Sequence, residues 1–290
     1  MRDYQIQYSY RNVDKLKDIY LYSCSKDVEV IKPGNVNIDY PHSDTTAYNF
    51  LRSAHDSCRS LFRQDLSLGE RIYHSVTDSR KNTRVNTNLG IVILISPIIQ
   101  GLLTSTKTTF RSALKDVIKT SRISDTNLLC RAINSINPGG LGEREEMDTN
   151  SLPKVTLKTI MDKSAKYDRL SYQYSTGYSD ILDFIVPRII EHKKYIENTD
   201  FLLSLVFLEI LSEIPDTHIS RKFNEKIAKK TSNEARDLIK IINTERSRKK
   251  AISRICQLDY EYKNKGINPG TTADLLLSGV VIERLLRSDL

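Results

Sequence analysis

Five polar turns of this chain carry residue types that could act on phosphate and ribosyl groups. They read KPGNVNIDYPHSD (residues 32–44), NTNLG (86–90), NPGGLGEREEMD (137–148), PDTHISRK (215–222) and NPGTTAD (268–274). Pro-Gly and Gly-Gly steps let a backbone approach a ligand closely, and a helix that follows such a turn offers free N–H groups to phosphate. Several turns of this kind on one chain predict the rim of a single polar pocket.

Aspartates and histidines supply the ionisable groups of these turns. The predicted metal ligands are Asp44, Asp148, Asp216 and Asp274. Mg²⁺ takes one or two protein carboxylates and completes its shell with water and phosphate oxygens, so we expect Mg²⁺ as the cofactor. His42 and His218 lie two residues from Asp44 and Asp216 and could move a proton. Helix capping is the competing interpretation for the aspartates, and for Asp274 in the first turn of the last helix it competes strongly.

Uncharged residues of the same turns are the predicted nucleotide contacts. They are Asn86, Thr87, Asn88, Gly139, Gly140, Gly142, Asn268, Gly270 and Thr271. The amide and hydroxyl groups ahead of the most apolar helix could hold a ribose or a base edge, and an ample helix cap explains them equally well. The glycine spacing of the third turn fits neither common phosphate-loop pattern, and no strand precedes it. A parallel-sheet nucleotide fold is therefore disfavoured.

Cations and aromatic rings add two further features. We expect Arg221 and Lys222 near a helix start, where the dipole disfavours cations unless an anion lies between them. That expectation predicts an anion site. In YDRLSYQY, Asp168 and Arg169 share a helical face with Tyr172, so a base could stack there. Aromatic core packing is the commoner use of such rings.

Composition excludes several classes of protein. With 290 residues, 39% hydrophobic and 28% charged, the chain has the make-up of a globular protein with a sizeable core. The net charge of +8 favours anionic partners without choosing among them. The four cysteines are scattered, which indicates reduced thiols rather than zinc ligands. No segment has the length of a membrane span or the pattern of a signal peptide, so we expect a cytoplasmic protein without a membrane partner.

Helical periodicity runs through almost the whole sequence, and no alternating run is bounded by a hairpin turn. The pattern predicts one compact all-α domain over residues 1–290, with glycine-rich turns gathered into one polar pocket. The most apolar segments, 89–103 and 201–211, should lie at its centre.

Three local expectations follow from the same pattern. A helix over 44–62 should be capped by Asp44 or Ser43. Residues 220–229 and 233–242 read as two separate helices, and Pro187 should kink or break the helix that contains it.

The motifs KPGNV with H-x-D, NTNLG, NPGGLG with D, YDRLSYQY, PDTHISRK and NPGTTADLL occur in this order over nearly the full length. As a set they resemble the triphosphoribosyl-dephospho-CoA synthase family, which serves citrate lyase and malonate decarboxylase. The resemblance implies an all-α enzyme that joins the ribose C1 of ATP to the 2′-hydroxyl of dephospho-CoA and releases adenine. ATP and dephospho-CoA, or a related phosphorylated acceptor, are the partners that it implies.

Roles for the turn residues follow from this resemblance. Asp216 and Asp274 would stabilise the ribosyl cation, and one of the two histidines would take the hydroxyl proton. The cation pair would hold the triphosphate, with Asp44 or Asp148 reaching Mg²⁺. Bacterial members tend to show N-T-H-K-G where this chain has NTNLG, and S-P-G-G-S-A-D where it has NPGTTAD. In these departures the chain resembles a divergent archaeal-type branch of the family, whose acceptor need not be the same.

Other classes of function remain open at this stage. A nucleic-acid-binding module would use the basic stretch RSRKK (246–250), but carboxylate-rich turns repel a phosphate backbone. An all-α ribosyl hydrolase would use the same carboxylates and Mg²⁺ with water as nucleophile. A homo-oligomer is also compatible with the sequence.

Overall fold

The computed structural model describes residues 3–7, 11–38, 46–83, 88–136 and 153–287. Over these ranges the chain forms α-helices, one π-helix and no strand, and its only β-type pairing is an isolated bridge between Gln5 and Thr109. The all-α prediction is confirmed. No helix in the described ranges is long and apolar enough to span a bilayer.

The helices are, in chain order, α1 (Val13–Glu29), α2 (Ala47–Leu61), α3 (Leu68–Thr83), α4 (Leu89–Thr104), α5 (Phe110–Lys119), α6 (Ile123–Ile136), α7 (Leu157–Ser164), α8 (Arg169–Thr176), the π-helix (Asp180–Ile185), α9 (Val186–His192), α10 (Thr199–Glu213), α11 (Thr217–Lys222), α12 (Glu225–Thr244), α13 (Arg248–Asn264) and α14 (Gly270–Arg287).

A single hydrophobic core runs through the described helices, from α1 to α14. The two most apolar helices, α4 and α10, are buried on nearly all sides, as their composition predicts. The last helix, α14, is also buried along most of its length and packs on α1, α4, α9 and α10. Helix α14 therefore connects the first helix with the apolar helices α4 and α10.

A proline lies inside α4 without leaving a buried carbonyl unpaired. Pro97 has no N–H, so the carbonyl of Ile93 loses its helical partner. The hydroxyl of buried Tyr174 donates to that oxygen at 2.6 Å, and the hydroxyl of Tyr178 donates to the carbonyl of Leu94 at 2.7 Å. Helix α8 and the residue pair after it therefore complete the backbone hydrogen bonding of α4.

The helix that contains Pro187 does not end there, but it changes type just before the proline. Pro187 stands at the start of α9, and the preceding turns are a π-helix, Asp180–Ile185. The missing N–H of Pro187 removes one helical bond at this junction, which is the usual reason for a local change of helix type.

Two local predictions are wrong in detail. Helix α2 is capped by Thr46, whose hydroxyl accepts from the N–H of Asn49 in a capping box, so Asp44 and Ser43 are not its caps. Residues 225–244 form one helix, α12, rather than two. The hydroxyl of Ser232 donates back to the carbonyl of Ala228, which keeps this serine compatible with the helix interior.

Candidate functional site

Four of the predicted turns meet in the described structure. We call the residues 32–35, 88–90, 215–222 and 266–274 the turn cluster. Asn35 donates to Asn268 at 2.9 Å, Thr272 donates to Asp216 at 2.7 Å, and Gly90 lies against Asp274. These contacts bring four of the five predicted turns together around the segment that precedes α14.

Gly34 fixes the first turn against the last. Its φ of +82° lies in the left-handed region, and a Cβ there would stand 2.4 Å from the carbonyl oxygen of Ile267. Its N–H donates to Asp259 Oδ1 at 2.8 Å, and Asp259 also accepts from Lys263 at 2.8 Å. Asp259 lies 225 positions along the chain from Gly34, so no local pattern could have revealed it.

Asp216 uses its carboxylate inside the protein. Oδ1 accepts from the N–H groups of His218 and Ile219 at 2.8 and 3.0 Å, which caps α11. Oδ2 accepts from the N–H and the hydroxyl of Thr272 at 2.7 and 2.8 Å, which ties the start of α14 to α11. The residue is 1% exposed. Both oxygens are occupied by donors, so the geometry favours a positioning role over the predicted catalytic and metal roles.

Asp274 is placed differently. It lies in the second turn of α14, which begins at Gly270, so the expectation that it belongs to the first turn is wrong and capping does not explain it. A Cβ on Gly90 would meet Asp274 Oδ2 at 2.0 Å, so the carboxyl lies directly over the start of α4. Among the hydrogen bonds and ion pairs of the described residues, none reaches this carboxyl group.

Burial is the main reason why the pKa of Asp274 is raised well above its ordinary value. The negative charges of Asp27 and, less, Asp216 raise the pKa further, whereas Lys32 and Arg221 oppose the shift. Lys32 is 1% exposed and is paired with Asp27, so its charge is largely balanced. Among the described residues Asp274 has no partner for its carboxyl group, which holds a proton more readily than a surface aspartate does.

The start of α4 has an unusual cap. Asn88 is 3% exposed, and its side-chain nitrogen donates to the carbonyl of Phe50 at 3.3 Å. Its Oδ1 atom is buried without a partner among the described residues, and it does not cap the helix. A buried acceptor and the first N–H groups of a helix thus stand beside Gly90 and Asp274.

Arg221 and Lys222 are not at a helix start. Asp216 caps α11 ahead of them, so both lie in its last turn, where the dipole favours cations, and the electrostatic argument for an anion is wrong. Arg221 Nη1 donates to Asp168 Oδ2 at 2.5 Å, and Lys222 Nζ donates to the carbonyl of Gly266 at 3.0 Å. They retain further N–H donors, because a guanidinium carries five and an ammonium three.

His218 stands beside this cation pair and is partly buried. Burial lowers its pKa below the ordinary value, with Asp216 opposing and Arg221 and Lys222 adding to the shift. The neutral form of the imidazole is therefore favoured. Its ring carbon Cγ lies 3.6 Å from the point that a Cβ on Gly270 would occupy. The ring therefore packs against the start of α14 at ordinary contact distance.

Asp168 caps α8, and its neighbour Arg169, which the sequence suggested only as a companion of Tyr172 in base stacking, has polar partners that we did not predict. Arg169 pairs with Asp180 through two bonds of 2.7 and 2.8 Å, and its backbone N–H donates to Thr217 at 3.2 Å. Its guanidinium carbon lies 3.9 Å from the centre of the Tyr172 ring. The cation covers one face of that ring, which disfavours base stacking there.

Eight predicted residues lie outside the described residues: His42, Asp44, Asn86, Thr87, Gly139, Gly140, Gly142 and Asp148. Thr271 is among the described residues, and its hydroxyl lies 3.2 Å from that of Thr217. Throughout the described ranges, the turn cluster included, no three His, Cys, Asp or Glu side chains converge as a metal-binding group.

Comparisons with known proteins agree with this architecture. The family model CitG, described as ATP:dephospho-CoA triphosphoribosyl transferase, matches residues 13–289. The chain therefore belongs to this family of transferases.

A solved structure from Archaeoglobus fulgidus, described as a candidate triphosphoribosyl-dephospho-CoA synthase, aligns with a TM-score of 0.62 at 18% identity. The alignment covers 81% of this chain and 97% of that one. At this identity the likeness establishes the fold alone. No curated protein matches the chain by sequence.

Proposed function

We propose that the protein transfers the triphosphoribosyl group of ATP to the 2′-hydroxyl of 3′-dephospho-CoA, or of a closely related acceptor. The observation that carries this proposal is the carboxyl of Asp274, which no described residue pairs with and which lies over the start of α4 in a member of this transferase family. In the reaction, the acceptor oxygen bonds to ribose C1 and the bond from C1 to adenine N9 breaks. The hydroxyl loses one proton and the departing adenine takes up one, so charge and atoms balance.

Two ionisable groups of the turn cluster suit the two proton transfers. Environments that push two pKa values apart commonly mark an acid and a base. The raised pKa of Asp274 suits a general acid that protonates the leaving adenine, and the lowered pKa of His218 suits a neutral base for the acceptor hydroxyl. Once it has given its proton, the Asp274 carboxylate also stabilises the cationic ribose.

Their placement is compatible with these roles. Gly270, which the His218 ring approaches, and Asp274 are four residues apart in α14 and so share one helical face. A ribose between the two side chains could have adenine on one side and the acceptor hydroxyl on the other.

The triphosphate would lie toward the cations of α11. Arg221 and Lys222 supply charge-assisted donors, and the first N–H groups of α4 add a favourable dipole. Asp168 holds the Arg221 side chain in place for this contact. Bound Mg²⁺ would neutralise phosphate charge, held by phosphate oxygens, water and the predicted carboxylates Asp44 and Asp148.

The direct test is to incubate the protein with ATP, Mg²⁺ and 3′-dephospho-CoA, and to measure free adenine by chromatography and the acceptor's mass by mass spectrometry. We expect adenine and a heavier acceptor in equal amounts, and neither when acceptor is omitted. Adenine release without acceptor would identify a ribosyl hydrolase. An unchanged acceptor with no adenine would reject the transfer.

A further inference from the structure

A cleft of about 220 Å³ lies beside the turn cluster and belongs to none of the roles assigned above. Its lining residues are Phe223, Ile227, Lys230, Thr231, Glu234, Lys265 and Ile267. They come from the end of α11, the first turns of α12 and the segment after α13. The cleft is smaller than a site for a whole drug-sized ligand, so it suits one ring system.

The cleft opens next to the groups proposed for the triphosphate. Phe223 follows Lys222 directly, and the Lys222 ammonium lies 5.6 Å from the centre of the Phe223 ring. On the opposite wall, Lys265 and Ile267 flank Gly266, whose carbonyl accepts from Lys222. A ligand in the cleft would thus lie directly beside the turn cluster, with which the cleft shares Ile267.

The walls combine an aromatic ring, apolar side chains and a carboxylate. Phe223 is 40% exposed, which is unusual for a phenylalanine, and Ile267 and Thr231 form a buried floor. Glu234 Oε2 accepts from the hydroxyl of buried Tyr262 at 3.0 Å, which fixes the carboxylate. Glu234 Oε1 has only a 3.7 Å contact with Lys230, so it can accept from an amino group.

Cations stand at the rim. Lys230 and Lys265 are exposed, and their nearest carboxylates, Glu234 and Glu261, are 3.7 and 3.9 Å away. Contacts this long on the surface contribute little, so both ammonium groups are available to an anionic ligand.

We propose that this cleft binds the adenine base of the acceptor, stacked on Phe223 with its amino group toward Glu234, while Lys230 and Lys265 contact the acceptor's diphosphate. The inference rests on the proposed function, because it assigns the acceptor half of that reaction. It separates the two adenine groups of the reaction: that of ATP leaves near Asp274, and that of the acceptor stays in the cleft. The acceptor's ribose then lies between the cleft and His218.

Three variants and a control test the assignment. Phe223→Ala removes the stacking ring, Phe223→Tyr restores it, and Lys230→Glu reverses a rim charge. Lys229→Glu is the matched control, because Lys229 is exposed on the same helix and does not line the cleft. The measurements are calorimetric binding of 3′-dephospho-CoA without ATP, and the KM of each substrate.

We expect Phe223→Ala and Lys230→Glu to weaken acceptor binding and raise the acceptor KM by roughly tenfold, with the ATP KM within about twofold. Phe223→Tyr and Lys229→Glu should behave as wild type. A raised ATP KM, or an unchanged acceptor KM, would overturn the assignment even if transfer is observed. Acceptor binding that depends on Phe223, without any transfer, would instead reject the proposed function and leave the cleft assignment standing.

Discussion

At the scale of single residues, the turn cluster contains two aspartates whose carboxyl groups have opposite surroundings. Asp216 accepts four hydrogen bonds, whereas no described residue donates to the Asp274 carboxyl. The arrangement around Asp274 favours a protonated carboxyl group. Both aspartates belong to polar turns that look alike in the sequence. Only the partners of each carboxyl group therefore distinguish a structural role from a chemical one.

Replacing Asp274 by Asn tests its role as an acid. We expect the rate to fall by roughly 10² to 10⁴-fold, with the ATP KM nearly unchanged. In the wild type the rate should fall as pH rises through the Asp274 pKa, and this fall should be absent from the residual activity of the variant. His218→Gln should remove the acid-side fall instead. If the Asp274→Asn variant instead changes only the Mg²⁺ requirement, Asp274 is a metal ligand and not an acid.

The same Asp274→Asn change should stabilise the fold in a pH-dependent way. Because burial raises the folded-state pKa above the unfolded value of about 3.9, folding takes up a proton and stability falls as pH rises between the two values. Asparagine removes this cost. The gain in melting temperature should be small at about pH 4 and reach its full size above the folded-state pKa.

Gly90→Ala should damage activity more than stability. The added methyl would take the position of the Asp274 carboxyl group, which must move, since Oδ2 lies 2.0 Å from that point. We expect a rate loss of roughly tenfold to a hundredfold, because small displacements of reacting groups are costly. Thermal melting should change little, as alanine favours the helix. A variant of normal activity would show that this position of Asp274 is not needed.

Arg221→Ala should weaken ATP binding far more than adenosine binding. The expected loss is roughly 1.5 to 3 kcal/mol, the value of a hydrogen bond to a charged group. Lys222→Ala should cost less, because a point charge is more easily replaced. Calorimetry with ATP, AMP and adenosine measures the difference. Equal losses for the three ligands would mean that Arg221 serves the fold through its bond to Asp168.

At the scale of helices, the short helix α11 shows how one side chain sets the position of others. Its cap at Asp216 moves Arg221 and Lys222 from an expected first turn to the last turn. The same carboxylate fastens Thr272 in α14. The positions of Arg221 and Lys222 and the start of α14 thus depend on one buried carboxylate, that of Asp216.

Asp216→Asn should therefore unfold more easily than wild type. An amide keeps one accepting oxygen but turns an NH₂ group toward donors, so buried N–H groups lose their partners. The expected loss is about 2 to 4 kcal/mol, measured by denaturant unfolding. Asn88→Ala is a useful comparison, since the Asn88 side chain does not cap α4. Unchanged unfolding of Asp216→Asn would return Asp216 to the candidates for chemistry.

Local sequence predicted most helices because periodicity and turn residues act over a few positions. It predicted Asp274 and Gly90 as separate turn features, but their contact joins residues 184 positions apart and depends on the packing of α14 on α4. Asp259 and the pairing of Arg169 with Asp180 were missed for related reasons. A buried partner of a turn N–H leaves no periodic signal, and a charged pair within a helical segment resembles a solvent-exposed face.

At the scale of the whole molecule, the net charge of +8 suits two polyanionic substrates. We expect ATP to bind roughly tenfold or more tightly with Mg²⁺ than in chelator, a difference of about 1.4 kcal/mol or more. Because Mg²⁺ takes much of its shell from phosphate oxygens and water, we expect the nucleotide-free protein to bind it weakly. Equal ATP affinity in chelator and in Mg²⁺, measured by calorimetry, would contradict a metal-assisted site.

The proline of α4 and the tyrosine of α8 have a consequence for how this sequence can change. Pro97 is tolerated because the Tyr174 hydroxyl donates to the carbonyl that the proline leaves unpaired. Losing the hydroxyl alone strands a buried carbonyl, whereas losing the proline first makes the hydroxyl dispensable. The order of substitution therefore matters: we expect Tyr174 to be replaced without loss of stability only after Pro97 has been replaced. The two positions are epistatic although 77 positions separate them in the chain.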